Sequence, residues 1–146
     1  MTWMYRHAVK HMKHMKPGSN IINTTSALGF SGSPKLIDYT STKGAIVNFT
    51  KSLAIFLVDK GISVNGVAHG PIWTPLEATS LNDDDIATFG SEVPINRAAQ
   101  PIEIAPSYVF LTLKDSSFYT GTFLHPDSGE LDNAIPSVNN NNKVNP

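Results

Sequence analysis

Two hydrophobic rhythms alternate along the chain. Met4, Ala8, Met12 and Met15 recur at helical spacing with Arg6, Lys10, Lys13 and Lys16 between them, which predicts an amphipathic helix over 2–16 stopped by Pro17-Gly18. Ile21 to Thr25 is a β-branched run after Gly18-Ser19-Asn20 and predicts a buried strand whose end delivers Ser26, with a loop from Gly29 to Pro34. From Asp38 to Lys60 the apolar residues Ile46, Phe49, Leu53 and Leu57 follow a helical period, and Gly61 succeeds the last of them. Ile62 to Ala68 reads as a second strand, and His69-Gly70-Pro71 breaks it. Passage from helix to strand through one glycine points to a parallel α/β architecture. Residues 72–93 read as irregular or weakly helical, with Asp83-Asp84-Asp85 at a helix start, where acids suit the positive end of the dipole. Pro101 to Leu113 predicts a helix with proline in its first turn and Glu103 beside it. Thr122 to His125 predicts a last strand, and the Asn-rich stretch 133–146 a disordered tail after a domain spanning 1–132.

Composition narrows the classes. At 146 residues one domain is expected, and a complete domain of that length buries roughly 70% of its unfolded surface. A hydrophobic fraction of 40%, a charged fraction of 16% and a net charge of −1 belong to an ordinary globular protein, not to a fibrous or nucleic-acid-coating one. The absence of cysteine excludes disulfides, a thiolate nucleophile and cysteine-ligated metal. Residues 1–37 hold five Lys or Arg and no acid, but a single arginine and an immediate run into strand argue against a transit peptide. With no apolar run of the ~18 residues that span a bilayer, the expectation is a cytoplasmic protein with no membrane partner. His7, His11 and His14 share one side of the first predicted helix, but no carboxylate in that segment completes a metal site, so a solvated or partner-facing basic face is expected.

Candidate chemistry centres on Tyr39 and Lys43. Four residues apart on a helix, they project from one face and their heads can meet. Ser26, at the end of a neighbouring strand, could complete a phenol, ammonium and hydroxyl set able to move a proton to or from a carbonyl oxygen.

The flanks carry more than the pair. Asp38-Tyr39-Thr40-Ser41-Thr42-Lys43-Gly44-Ala45, then Val64-Asn65-Gly66-Val67-Ala68-His69-Gly70-Pro71-Ile72-Trp73-Thr74-Pro75, resemble in order and distance the short-chain dehydrogenase/reductase family. Phe89 to Pro94 and Gln100 to Leu111 are most similar to its plant glucose and ribitol dehydrogenase homologues. The resemblance implies a Rossmann-type fold and hydride transfer between NADP or NAD and an alcohol or carbonyl of the sugar, polyol or aldehyde class. In that scheme Tyr39 passes the proton, Lys43 favours its phenolate and binds the nicotinamide ribose, and Ser26 holds the substrate oxygen. Gly70, Ile72 and Thr74 then hold the nicotinamide end of the cofactor, and 72–93 is the variable substrate-covering region. The resemblance also implies a homo-oligomer or association with full-length relatives.

Three departures stand beside it. The chain holds no glycine-rich strand–turn–helix unit of the kind that receives a pyrophosphate, and Gly29-Phe30-Ser31-Gly32 follows the serine with the wrong spacing. The expected fold is therefore the C-terminal part of a doubly wound parallel sheet, lacking the N-terminal dinucleotide-binding half and leaving Ile21 to Thr25 as an open edge. His69-Gly70 stands where the family has Pro-Gly, and Asp127-Ser128-Gly129 where it has Asn-Gly-Gly, which predicts a strained last turn. An oxidoreductase, or its catalytic half, is the first functional expectation. A non-catalytic remnant or partner of full-length relatives is the second.

Overall fold

A computed structural model describes residues 11 and 14–131. Most of the predicted 2–16 helix, His7 and the 133–146 tail lie outside them. Three parallel strands form the sheet in the order β1 (Asn20–Ser26), β2 (Ser63–His69) and β3 (Phe123–Leu124). The register pairs Asn20 with Ser63, Ser26 with His69 and Val67 with Leu124. The predicted loop after Ser26 instead contains one helical turn, α1 (Leu28–Ser31). The Ala27 carbonyl accepts from the Phe30 and Ser31 amides, and the Ser26 hydroxyl accepts from Leu28, so the strand end itself nucleates that turn.

α2 (Ile37–Leu57) is the long predicted helix, but its last predicted residues form a separate 3-10 turn, Val58–Lys60, before Gly61. Its buried stripe runs through Val47, Thr50, Leu53, Ala54 and Leu57. Ile46 and Phe49, which belong to the predicted helical period, flank it half-buried. This stripe covers one face of the sheet, where it meets Ile62, Val64 and Ala68. Polar pegs share that face: the Asn23 amide donates to Thr50 Oγ1 at 2.9 Å, and Thr25 Oγ1 donates to the Lys43 carbonyl at 2.9 Å. Fully buried hydroxyls and amides must be partnered, and these are.

The 72–93 region folds as α3 (Pro75–Ser80) and α4 (Asp83–Thr88), and neither helix buries a residue. As expected, Asp83, Asp84 and Asp85 form the first turn of α4, which Asn82 caps through the Asp85 amide at 2.8 Å. α5 (Pro101–Thr112) covers the opposite face of the sheet: Ile104 and Leu111 pack with Val67, Ile22 and Leu124, and the Tyr108 and Thr24 hydroxyls share a 2.8 Å hydrogen bond. The molecule is thus a three-layer α/β/α stack. Because successive strands step in one direction while α2 and α5 lie on opposite faces, the two crossovers have opposite hands. One of them departs from the usual right-handed rule.

Candidate active site

In a parallel sheet every strand delivers its carboxyl end to the same edge, and ligands of open α/β sheets bind there. Ser26 ends β1, His69 ends β2 opposite it, and His125 follows β3. α2 starts from that edge, which places Tyr39 in its first turn and Lys43 one turn later. Tyr39 is 38% exposed, and Lys43 Nζ stands 5.3 Å from its ring centroid. The predicted pair is therefore brought together. Burial pushes the Lys43 ammonium below the ordinary lysine range.

Ser26 is buried at the same edge, with its hydroxyl turned onto backbone: it donates to the His69 carbonyl at 3.4 Å and accepts from the Leu28 amide at 3.2 Å. Both are long bonds. The connection between Ser26 and α2 is held against α2 by close approach of main chain. A Cβ at Gly29 would stand 3.0 Å from the Lys43 carbonyl carbon and Cβ, a crowded approach that glycine avoids. Neither this contact nor the Thr25 hydrogen bond was singled out from sequence. The available signal was strand alternation, which puts Thr25 on the α2 face one residue before Ser26.

At the end of β2, Gly70 donates to the Pro126 carbonyl at 3.3 Å and packs on Asp127 and the Glu130 carboxylate. Burial, then the charges of Asp127 and Glu92, raise the Glu130 pKa. Asp127 accepts from the Gly129 and Leu131 amides, so the added carboxylate organises the last described turn. The expected strain falls on Ser128, a non-glycine residue at φ +63°. Its hydroxyl accepts from the Ile95 amide at 2.8 Å. A cleft of about 170 Å³ lies here, lined by Gly70, Pro71, Ile95, Arg97, Glu103 and Asp127 among others. Ile72 is half-buried, bridged to Ala99 and packed in the α5 layer. Thr74 has its hydroxyl engaged with Glu77 and accepting from the Leu76 amide as the cap of α3, so that side chain serves its own helix. Trp73 and Phe89 meet at 6.0 Å between centroids, while Leu76 is exposed. Among the described residues no group of three His, Cys, Asp or Glu could hold a metal, and no helix is long and apolar enough to cross a membrane.

The sequence profile described as enoyl-(acyl carrier protein) reductase matches residues 1–130. Over 90% of its length the chain is 59% identical to NADPH-dependent aldehyde reductase 1, chloroplastic, of Arabidopsis thaliana, covering 45% of that protein. It is 56% identical to the glucose and ribitol dehydrogenase of Daucus carota over 90% of its own length and 44% of the relative's. A short chain dehydrogenase family protein from Francisella tularensis superposes with a TM-score of 0.75 at 33% identity, over 87% of this chain and 57% of that one. The chain thus spans less than half the length of these curated relatives.

Proposed function

The chain belongs to the short-chain dehydrogenase/reductase family, and on that premise we propose that it carries the proton-transfer site of a nicotinamide-dependent oxidoreductase acting on a small alcohol or carbonyl compound. The observation that carries this reading is the Lys43 ammonium held over Tyr39 at the carboxyl edge of the sheet, beside the end of the serine strand. A free tyrosine titrates near 10 and is a poor base at neutral pH. With the Lys43 ammonium beside its ring, Tyr39 is placed to donate a proton to a carbonyl oxygen in one direction and to take one back from an alcohol in the other. Ser26 orients that oxygen once its long backbone bonds yield.

The described residues fit the nicotinamide-ribose end of NADP or NAD. Lys43 offers a half-exposed ammonium to ribose hydroxyls, and Gly70 and Ile72 offer main chain and an apolar wall at the end of β2. The cofactor supplies the hydride. Thr74 contributes through backbone, its hydroxyl being occupied by the cap. A sugar, polyol or aldehyde substrate is supported by the names of the two plant relatives. Self-association belongs to the same reading, supported by exposed Ile55 and Phe56 on α2, Ile102 and Val109 on α5, and Leu113 just past its end.

The test is a fluorescence titration of the purified chain with NADPH, followed by turnover of a small aldehyde. Saturable binding and a kcat lower by about 10² to 10⁴ in Tyr39→Phe support the proposal. Absence of NADPH binding, or turnover indifferent to Tyr39→Phe, replaces it with the reading of a non-catalytic partner.

A further inference from the structure

Ser26, Tyr39 and Lys43 come from two elements, so their relative placement depends on what locks β1 to α2 near the site. Two contacts from the segment around Ser26 converge on the backbone of one residue, Lys43. The Thr25 hydroxyl donates to its carbonyl at 2.9 Å, and Gly29 sits so near that a Cβ there would stand 3.0 Å from the Lys43 Cβ and carbonyl carbon. Thr25 is fully buried and immediately precedes Ser26. A carbonyl oxygen has two lone pairs, so the Lys43 carbonyl can take the Thr25 bond in addition to its own helical bond from four residues on.

We propose that Thr25 is a positioning residue for the proton-transfer site: its hydroxyl fixes the height and rotation of α2 against the end of β1, and so sets where Lys43 and Tyr39 stand relative to Ser26. This rests on the reading of Tyr39 and Lys43 as the acid–base pair. The other polar peg between the two elements, Asn23 to Thr50, lies two turns further along α2 and secures the middle of the helix. Without the Thr25 bond the first turns of α2 are held to β1 by packing alone, and a displacement of about 1 Å in a reacting group is enough to lower turnover about 10²-fold. Gly29 leaves room for this approach, since a Cβ there would crowd the Lys43 Cβ and carbonyl carbon at 3.0 Å and the turn would have to give by a few tenths of an ångström.

The test uses Thr25→Val, which keeps shape and removes the donor, and Thr25→Ser, which keeps the donor, in the whole chain. The first readout is independent of turnover: the Lys43 ammonium is titrated by NMR of ¹³C-labelled lysine side chains, assigned with Lys43→Arg. Burial is the sole cause of the lowered Lys43 pKa, so release of the turn toward water raises it. Thr25→Val is expected to raise the Lys43 midpoint toward that of free lysine, and Thr25→Ser to leave it in place. A folded Thr25→Val whose Lys43 titrates as in the unsubstituted chain overturns the proposal. If Thr25→Val does not fold, Thr25→Ala takes its place: a raised midpoint supports the proposal, and an unchanged one overturns it. In the turnover assay, Thr25→Val is expected to lower kcat about tenfold or more at constant KM, with rescue by Thr25→Ser. Tyr39→Phe run in parallel separates the two claims. Turnover indifferent to Tyr39→Phe sinks the acid–base reading, whereas turnover lost in Tyr39→Phe but retained in Thr25→Val sinks only the positioning role.

Discussion

Glu103 serves three donors with two oxygens. Arg97 reaches it through both terminal nitrogens, at 2.7 and 2.8 Å, and the Gln100 amide donates to Oε2 at 2.8 Å. The hydrogen bonds from Arg97, then that from Gln100, pull the carboxyl down to about 2. A folded-state pKa below the unfolded one means that the stabilisation is complete above about 4.5 and is lost as pH falls toward about 2. Glu103→Gln is therefore expected to lower the thermal midpoint at pH 7, with the gap to the unsubstituted chain closing across that window and narrowing in high salt. Thermal scans from pH 7 down to pH 2 check this; a gap that persists at the acid end contradicts the ion-pair account. The acid was legible from its place in a first turn after proline. Its cation was not, because Arg97 lies upstream in a loop whose path only packing sets. Tyr39 and Lys43 were legible for the opposite reason: both stand on one helix, where spacing alone dictates that they meet.

Among the elements, β2 and β3 interlock through one missing side chain. A Cβ at Gly66 would lie 2.2 Å from the Phe123 ring, so the ring occupies the space that glycine leaves on the α2 face. Gly66→Ala is expected to destabilise the chain by about 1–3 kcal/mol through overpacking. The check is a lower denaturation midpoint at unchanged slope, with part of the loss recovered in Gly66→Ala combined with Phe123→Leu. The existence of both strands followed from their β-branched and aromatic runs. That Gly66 and Phe123 are partners did not, since their register is a long-range choice. Helix periodicity likewise located α2, and packing decided which of its residues face inward. The buried stripe includes Thr50, which the sequence shows only as polar and which burial turns into a partner for Asn23. α1 was missed because its turn is set by hydrogen bonds at the strand end, not by propensity.

In the molecule as a whole, order is graded from the centre outward. β2 is paired on both sides and covered on both faces, whereas α3 and α4 bury nothing. Amide hydrogen exchange is expected to be slowest at Val64 to Ala68 and fast through Leu76 to Thr88, by several orders of magnitude; equal rates would contradict this gradient. β1 is paired on one side only among the described residues, and its exchange should fall between the two. By itself the sequence determined the three strands, the helices α2 and α5 between them, the parallel architecture and the chemical pair on α2, because each depends on local period, turn chemistry or spacing within one element. Tertiary structure alone decided which face each helix covers, the opposite hands of the two crossovers and the engagement of the Thr74 hydroxyl in a cap. It also decided the peg from Thr25 to Lys43 that joins the serine strand to the Tyr39 helix. These are contacts between residues far apart in the chain, and they exist only once the sheet has chosen its register and the helices their sides.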